Sequence, residues 1–228
     1  MCGIVGYFGQ AQPSISLLTL MADKLQHRGP DDFGFWVDDD LGVALAHRRL
    51  SILDISPAGH QPMVSKTGRY VISYNGEIYN HNDLRIQINK INPSIWNGGS
   101  DTETLLAGFE LWGVSETLKY LVGMFAFAVW DRERQVLILA RDRAGEKPLY
   151  YGAYSGVTIF GSELKSLRVH PSFINDIDRN ALALYLRYAY VPTPYSIYKN
   201  VKKLPAGTYI EIHRDRICPP GRHRSAVP

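Results

Sequence analysis

The rhythm of apolar and polar positions changes several times along the chain, and each change predicts an element. Ile4 to Phe8 is a short, mostly apolar run that reads as a buried strand. Leu18, Met21 or Ala22, and Leu25 recur at helical spacing, which predicts a first helix from about Ser14 to Gln26. His27-Arg28-Gly29-Pro30-Asp31 breaks it. Phe33 to Val37, Val43 to Leu50 and Tyr70 to Tyr74 are strand candidates, parted by turn-rich stretches such as Asp38-Asp39-Asp40 and Pro57-Ala58-Gly59. Leu84, Ile88 and Ile91 share one face of a second helix. Ser100-Asp101-Thr102-Glu103 reads as a capping box, and Leu105, Leu106, Phe109 and Trp112 follow it on one face of a third.

The second half predicts two hairpins. Met124 to Trp130 and Val136 to Ala140 flank the polar turn Asp131-Arg132-Glu133-Arg134, and Leu149 to Ala153 and Val157 to Phe160 meet around Ser155-Gly156. Strands this continuously apolar imply antiparallel sheet covered on both faces, and helices over such sheets give a layered α+β architecture. Ala181 to Tyr188 reads as a helix stopped by Pro192-Thr193-Pro194. Beyond Gly207 the pattern weakens. Thr208 to His213 has room for one strand, and Cys218 to Pro228 reads as a disordered end with little to bury.

Composition narrows the class. With 45% hydrophobic and 21% charged residues in 228, the chain reads as one soluble globular domain with a tail. The longest apolar run, Met124 to Trp130, is seven residues, too short to span a bilayer, and no secretory signal is visible. The expected compartment is therefore the cytoplasm, with both cysteines reduced. Two cysteines make neither a disulfide framework nor a four-thiolate metal site. The net charge of +3 is not spread evenly: residues from Lys199 onward carry seven Lys/Arg against two Asp/Glu, leaving eighteen against twenty before them. A slightly acidic body argues against nucleic acid as a partner.

Cys2 is the sharpest chemical feature. Removal of Met1 would leave its thiol and a free α-amine on one Cα, a nucleophile with its own base. Taken alone, Cys2 reads better as merely the small start of a strand. In Tyr74-Asn75-Gly76-Glu77, the Asn75 amide and the Gly76 N–H can donate to a developing oxyanion, although Asn-Gly is also a common turn. Arg49 ends a strand-like run where a guanidinium can grip a carboxylate, or simply be paired structurally. Asp101 stands in the first turn of a predicted helix, where capping alone would justify an acid.

Seven stretches, in order, resemble the glutaminase domain of class II glutamine amidotransferases, in particular glutamine-hydrolysing asparagine synthetases. They are Met1-Cys2-Gly3-Ile4-Val5-Gly6, His27-Arg28-Gly29-Pro30-Asp31, His47-Arg48-Arg49-Leu50-Ser51-Ile52, Tyr74-Asn75-Gly76-Glu77-Ile78-Tyr79-Asn80, Gly99-Ser100-Asp101-Thr102-Glu103, Asp142 through Tyr151, and Ser162-Glu163-Leu164-Lys165. The resemblance covers residues 1–207 and implies an N-terminal-nucleophile hydrolase fold, a four-layer αββα sandwich of two antiparallel sheets between helical layers; residues 208–228 are then a divergent tail. It implies that Cys2 is the nucleophile, that Asn75 and Gly76 form the oxyanion hole, and that Arg49 holds the glutamine α-carboxylate. It further implies that Asp101, with Glu77, meets the α-ammonium, and that Leu50, Ser51, Ile52 and Leu53 form the pocket segment. Arg28 is expected to order its loop without touching the chemistry. The implied reaction releases glutamate and ammonia from L-glutamine through a Cys2 γ-glutamyl thioester, with no metal or organic cofactor.

Full-length asparagine synthetases continue into a domain that binds ATP and Mg through a Ser-Gly-Gly-Leu-Asp-Ser-type loop, and that loop is not found in this sequence. The implied partner is thus an ammonia-accepting synthetase domain or subunit, with room for a homodimer and no membrane or nucleic-acid role. Ala144 stands where many asparagine synthetases carry an aromatic residue, which leaves open an acceptor in sugar or surface-polysaccharide pathways. A different N-terminal-nucleophile hydrolase, such as an acylase, or a non-catalytic domain of the same fold are the other readings.

Overall fold

A computed structural model describes residues 1–9, 12–51, 56–93 and 95–223. The first half holds strand β1 (Gly3–Gly9), helix α1 (Ile15–Asp23), β2 (Asp32–Asp38), β3 (Val43–Arg49), β4 (Met63–Val64), β5 (Tyr70–Ile78), α2 (His81–Ile91), α3 (Asp101–Trp112) and α4 (Val114–Tyr120). The second holds β6 (Gly123–Asp131), β7 (Val136–Arg141), β8 (Tyr150–Tyr154), β9 (Val157–Gly161), α5 (Leu164–Leu167), α6 (Arg179–Tyr188), β10 (Val201–Lys203), β11 (Thr208–Ile212) and β12 (Gly221–Arg222). Two six-stranded sheets result, ordered β10-β8-β9-β1-β3-β2 and β12-β11-β7-β6-β5-β4. Every named strand pair is antiparallel.

The period-two alternation of the strands builds three apolar layers. Between the sheets lie Ile4, Phe8, Val43, Leu45, Val71, Ala128, Trp130 and Leu139. On the outer face of the first sheet, Val5, Tyr7, Ala44 and Ile159 pack under Leu18, Met21 and Ala22 of α1 and Leu167 of α5. On the outer face of the second, Tyr70, Ile72, Tyr74, Phe125 and Phe127 pack under Leu84 of α2, Leu105 and Phe109 of α3 and Leu118 of α4. The expected αββα layering is present.

Differences from the sequence reading have local causes. Helix α1 begins on the Ser14 cap, whose side chain accepts from Leu17 N–H, but ends at Asp23, with Leu25 to Gly29 in successive turns. Strand β5 continues through Asn75-Gly76 to Ile78, because β6 pairs with it as far as Gly123. Glu103 does not complete a capping box. Ser100 accepts from Thr102 N–H, while the Glu103 carboxylate turns back to Asn97 and Gly98 N–H, because the chain ahead of Ser100 curls over the first helical turn. Ile91 is exposed at the end of α2, and α6 buries only Ala181, leaving Leu182, Tyr185 and Leu186 in solvent. Within residues 208–223, expected as a tail, β11 and β12 join the second sheet: Tyr209 to Ile212 pair with β7, Gly221 and Arg222 pair with β11, and His223 is buried with its Nε2 donating to Arg141 O at 2.8 Å. Ile210 and Ile212 anchor this segment in the layer between the sheets.

Candidate active site

The alternation that fills the core also gathers the chemistry. On β1, Ile4 and Phe8 face the gap between the sheets, and the same phase places Cys2 there. On β3, Val43 and Leu45 face it, so His47 and Arg49 do too; on β5, Val71 sets the phase for Ser73, Asn75 and Glu77. The beginning of β1 lies beside the end of β3, since Gly3 pairs with Arg48. At this end of the gap Cys2, Arg49, Leu50, Asn75, Gly76, Glu77 and Asp101 line one cavity of about 170 Å³. Met1 lines it as well.

The Cys2 thiol donates to Leu50 O at 3.6 Å and its sulfur receives Leu50 N–H at 3.4 Å. Burial pushes the thiol pKa up, opposed by the Leu50 contact and by the positive charges of the N-terminus, Arg49 and Arg28. Two motif residues clamp the backbone around it. Ser162 accepts from Ile4 N–H at 3.0 Å through its hydroxyl and donates its own N–H to Ile4 O. Arg28 donates through Nε to Cys2 O at 2.9 Å and through a terminal nitrogen to Glu163 at 2.9 Å. Arg28 therefore holds the Cys2 peptide, beyond the loop-ordering expected of it. The Glu163 carboxylate also receives His27 and Lys165.

Asn75 is 1% exposed, and its Nδ2 has no hydrogen-bond partner among the described residues. A buried amide donor left unpaired costs about 1–3 kcal/mol, a cost found where a ligand supplies the acceptor. Its neighbour Gly76 is confined by β6: a Cβ there would lie 2.4 Å from Met124 O and 2.7 Å from Phe125 Cα. Only a glycine permits this approach of the two strands.

Asp101 reaches the cavity because β4 is short. β4 pairs only with Val71 and Ile72, so among the described residues β5 has no strand neighbour beyond them on that side. Side chains take its place. Gln61 Oε1 accepts Tyr74 N–H at 2.7 Å, and Gln61 Nε2 donates to Thr102 Oγ1 at 3.3 Å. Asp101 Oδ2 accepts the Tyr74 phenol at 2.6 Å and Ile78 N–H at 2.8 Å. Burial raises the Asp101 pKa, against the hydrogen bonds from Tyr74 and Ile78 and the charge of His81. The Tyr74 phenol is pushed far above its ordinary value by burial and by Asp101. Arg85 of α2 steadies the approach to α3, donating to Gly98 O at 3.0 Å and Ser100 O at 2.8 Å.

Arg49 donates to Ser56 O at 3.1 Å and stands 4.0 Å from Asp32, which also receives His60 at 2.8 Å. His47, one alternation earlier, is buried and donates through Nε2 to Tyr74 O at 2.9 Å; burial lowers its pKa to about 4, against that hydrogen bond, with Arg49 lowering it further. Its Nδ1 is unpaired among the described residues, as a neutral Nε2–H tautomer requires.

Ser51 donates its N–H to Asp31 at 2.8 Å and is not among the residues lining the cavity. Ile52 and Leu53 lie outside the described residues. Gln61, Tyr74, Thr102, Met124 and Lys147 line the cavity without having been assigned a role in it. Lys147 is held there by its backbone: Asp142 receives its N–H at 3.0 Å and Arg141 donates to its carbonyl at 2.7 Å. Its place in the Asp142–Tyr151 stretch was the only sequence signal for it.

The family model described as a glutamine amidotransferase domain matches residues 1–221. The chain belongs to this glutamine amidotransferase family. Among its curated relatives, "Asparagine synthetase [glutamine-hydrolyzing] 1" of Bacillus subtilis is 39% identical over 220 residues, covering 94% of this chain and 34% of that protein. "Asparagine synthetase [glutamine-hydrolyzing] 3" of the same organism is 36% identical over 221 residues, covering 94% of this chain and 35% of that protein. The amidotransferase chain thus spans about a third of the length of these relatives. Among solved structures, the glutamine phosphoribosylpyrophosphate amidotransferase of B. subtilis superposes with a TM-score of 0.72 at 19% identity, over 97% of this chain and 49% of that one. At that identity the likeness establishes the shared fold. Among the described residues no helix is long and apolar enough to cross a membrane.

Proposed function

We propose that this amidotransferase domain hydrolyses L-glutamine to glutamate and ammonia, with Cys2 as nucleophile. The observation that carries the reading is the convergence of Cys2, Arg49, Asn75, Gly76 and Asp101 on one cavity, with opposite charges on its walls and an unpaired amide donor beside the thiol. Arg49 takes the α-carboxylate of the substrate, and Asp101, with Glu77 on the same wall, takes the α-ammonium. The side-chain amide is then directed at Cys2. Removal of Met1, which lines the cavity, both opens the site and gives Cys2 a free α-amine.

The sulfur attacks the γ-carbonyl carbon, a C–S bond forms, and the thiol proton passes to the α-amine. Asn75 Nδ2 and Gly76 N–H donate to the oxyanion, each donor of this kind contributing about 2.7–4 kcal/mol. The C–N bond breaks with return of the proton to the departing ammonia. Water then cleaves the thioester, releasing glutamate. This half-reaction draws on no metal or organic cofactor.

The relatives' names support an ammonia acceptor of asparagine-synthetase type. In this proposal ATP and Mg serve a separate domain, and the compartment is the cytoplasm. The test is release of glutamate and ammonia from glutamine by protein whose intact mass lacks Met1. Cys2→Ala abolishes turnover, and Asp101→Asn raises KM about tenfold or more by loss of a charged contact. Unchanged turnover in Cys2→Ala, or full activity with Met1 retained, would overturn the assignment.

A further inference from the structure

The site has two ends that must stay a fixed distance apart: the Asp101 wall, which meets the α-ammonium, and the Asn75-Gly76 pair, which meets the reacting carbonyl. A closed ring of buried hydrogen bonds joins them. It runs from Tyr74 N–H to Gln61 Oε1 at 2.7 Å, and from Gln61 Nε2 to Thr102 Oγ1 at 3.3 Å. From Thr102 it passes along the chain to Asp101, whose Oδ2 accepts the Tyr74 phenol at 2.6 Å. The ring thus opens and closes on Tyr74, the residue bonded to Asn75. Asp101 has a second tie at Ile78 N–H, 2.8 Å, so its carboxylate is fixed to β5 on both sides of Asn75-Gly76. Gln61, Tyr74, Asp101 and Thr102 are all buried.

We propose that Gln61, Tyr74 and Thr102 are positioning residues that make the site a ruler for substrate side-chain length, selecting L-glutamine over L-asparagine. This inference rests on the glutaminase reading and adds its specificity. Both amino acids present the same two charges to Arg49 and Asp101, and they differ by one methylene. A loosely held Asp101 would move toward Asn75 and let the shorter side chain reach Cys2. The ring forbids that movement, so the asparagine carbonyl stops short of the thiol and the oxyanion donors. A methylene judged by a rigid site is worth about 10–200-fold, and a misplacement of about 1 Å costs on the order of a hundredfold.

The experiment compares kcat/KM for L-glutamine and L-asparagine, by ammonia release, in the Met1-free protein and its variants, each checked for a cooperative thermal transition. In the parent the ratio is on the order of a hundred. Tyr74→Phe and Gln61→Met each reduce it by about tenfold or more, chiefly through a gain for asparagine relative to glutamine. Gln61→Glu, which keeps an acceptor for Tyr74 N–H and lets the Thr102 hydroxyl turn from acceptor to donor, keeps the ratio within about threefold of the parent. Thr102→Val opens the ring by one hydroxyl and takes the place of either variant that fails to fold. If both substrates weaken together with the ratio unchanged, the ruler is refuted and the glutaminase reading stands. If the parent hydrolyses neither amide, the glutaminase reading fails and the ruler fails with it.

Discussion

Arg28 grips the carbonyl oxygen of Cys2 at 2.9 Å with Nε while its other arm is fixed on Glu163 at the same distance. The guanidinium holds the Cys2 peptide without lining the cavity. Arg28→Met keeps the aliphatic stem and removes both donations. The expected outcome is a drop in kcat of about 10–100-fold with KM within about threefold, the mark of a nucleophile displaced by a fraction of an ångström. Steady-state kinetics with glutamine measures it. An equal loss through KM alone would place Arg28 on substrate binding.

Asn75→Ala removes an unpaired buried donor. It should lower kcat by about 10²–10³ with little change in KM, because the oxyanion is stabilised and the ground-state amide is not. Stability should hold or rise slightly, since no hydrogen bond is lost in the unliganded protein and one unsatisfied group is removed. Parallel kinetics and urea unfolding separate the two effects.

Gly76→Ala tests the close approach of β5 and β6. The added methyl would meet Met124 O at 2.4 Å, so the strands must part. A loss of about 1–3 kcal/mol in unfolding free energy is expected, with turnover falling further because Gly76 N–H moves with its strand. Denaturant midpoints at constant m-value provide the check.

His47 makes stability depend on pH. Burial holds it neutral in the folded protein with a pKa of about 4, against an ordinary value of 6.5. The unfolded chain therefore binds the extra proton first as pH falls. The contribution of His47 is complete above about 6.5 and is lost progressively on acidification toward 4, to a total of about 3 kcal/mol. Unfolding free energies at pH 7 and pH 5 should differ by more in the parent than in His47→Gln. Equal slopes would show that His47 does not carry the dependence.

Much of this molecule can be read from its sequence, for reasons that differ between elements. The hairpin of β6 and β7 is legible because both its faces are covered, leaving long apolar runs on either side of Asp131 to Arg134. Cys2, Arg49, Asn75 and Asp101, which line one cavity, could be singled out because each residue type admits the chemistry and the order of the motifs around them carries the resemblance. Strand β4, two residues long, and β10, Val201-Lys202-Lys203, are too short and too polar to show a period. Helix α4 begins directly after Gly113, so its pattern merges with that of α3. Pro219 and Pro220 disguise the fact that His223 is carried back over Arg141 and Phe125. Gln61 was invisible for another reason: it bonds β5 where, among the described residues, that strand has no strand neighbour, and no local pattern records which neighbour a strand lacks. Tyr74 and Lys147 likewise acquire their places from partners 27 and 6 residues away, Asp101 and Arg141.

Strand β5 runs without interruption from the centre of the second sheet to the floor of the cavity, paired with β6 over its whole length from Tyr70 to Ile78. Asn75 and Gly76 are therefore cut from the same plank as the hydrophobic core. The entropy of fixing their backbone is spent when the chain folds, before any ligand arrives.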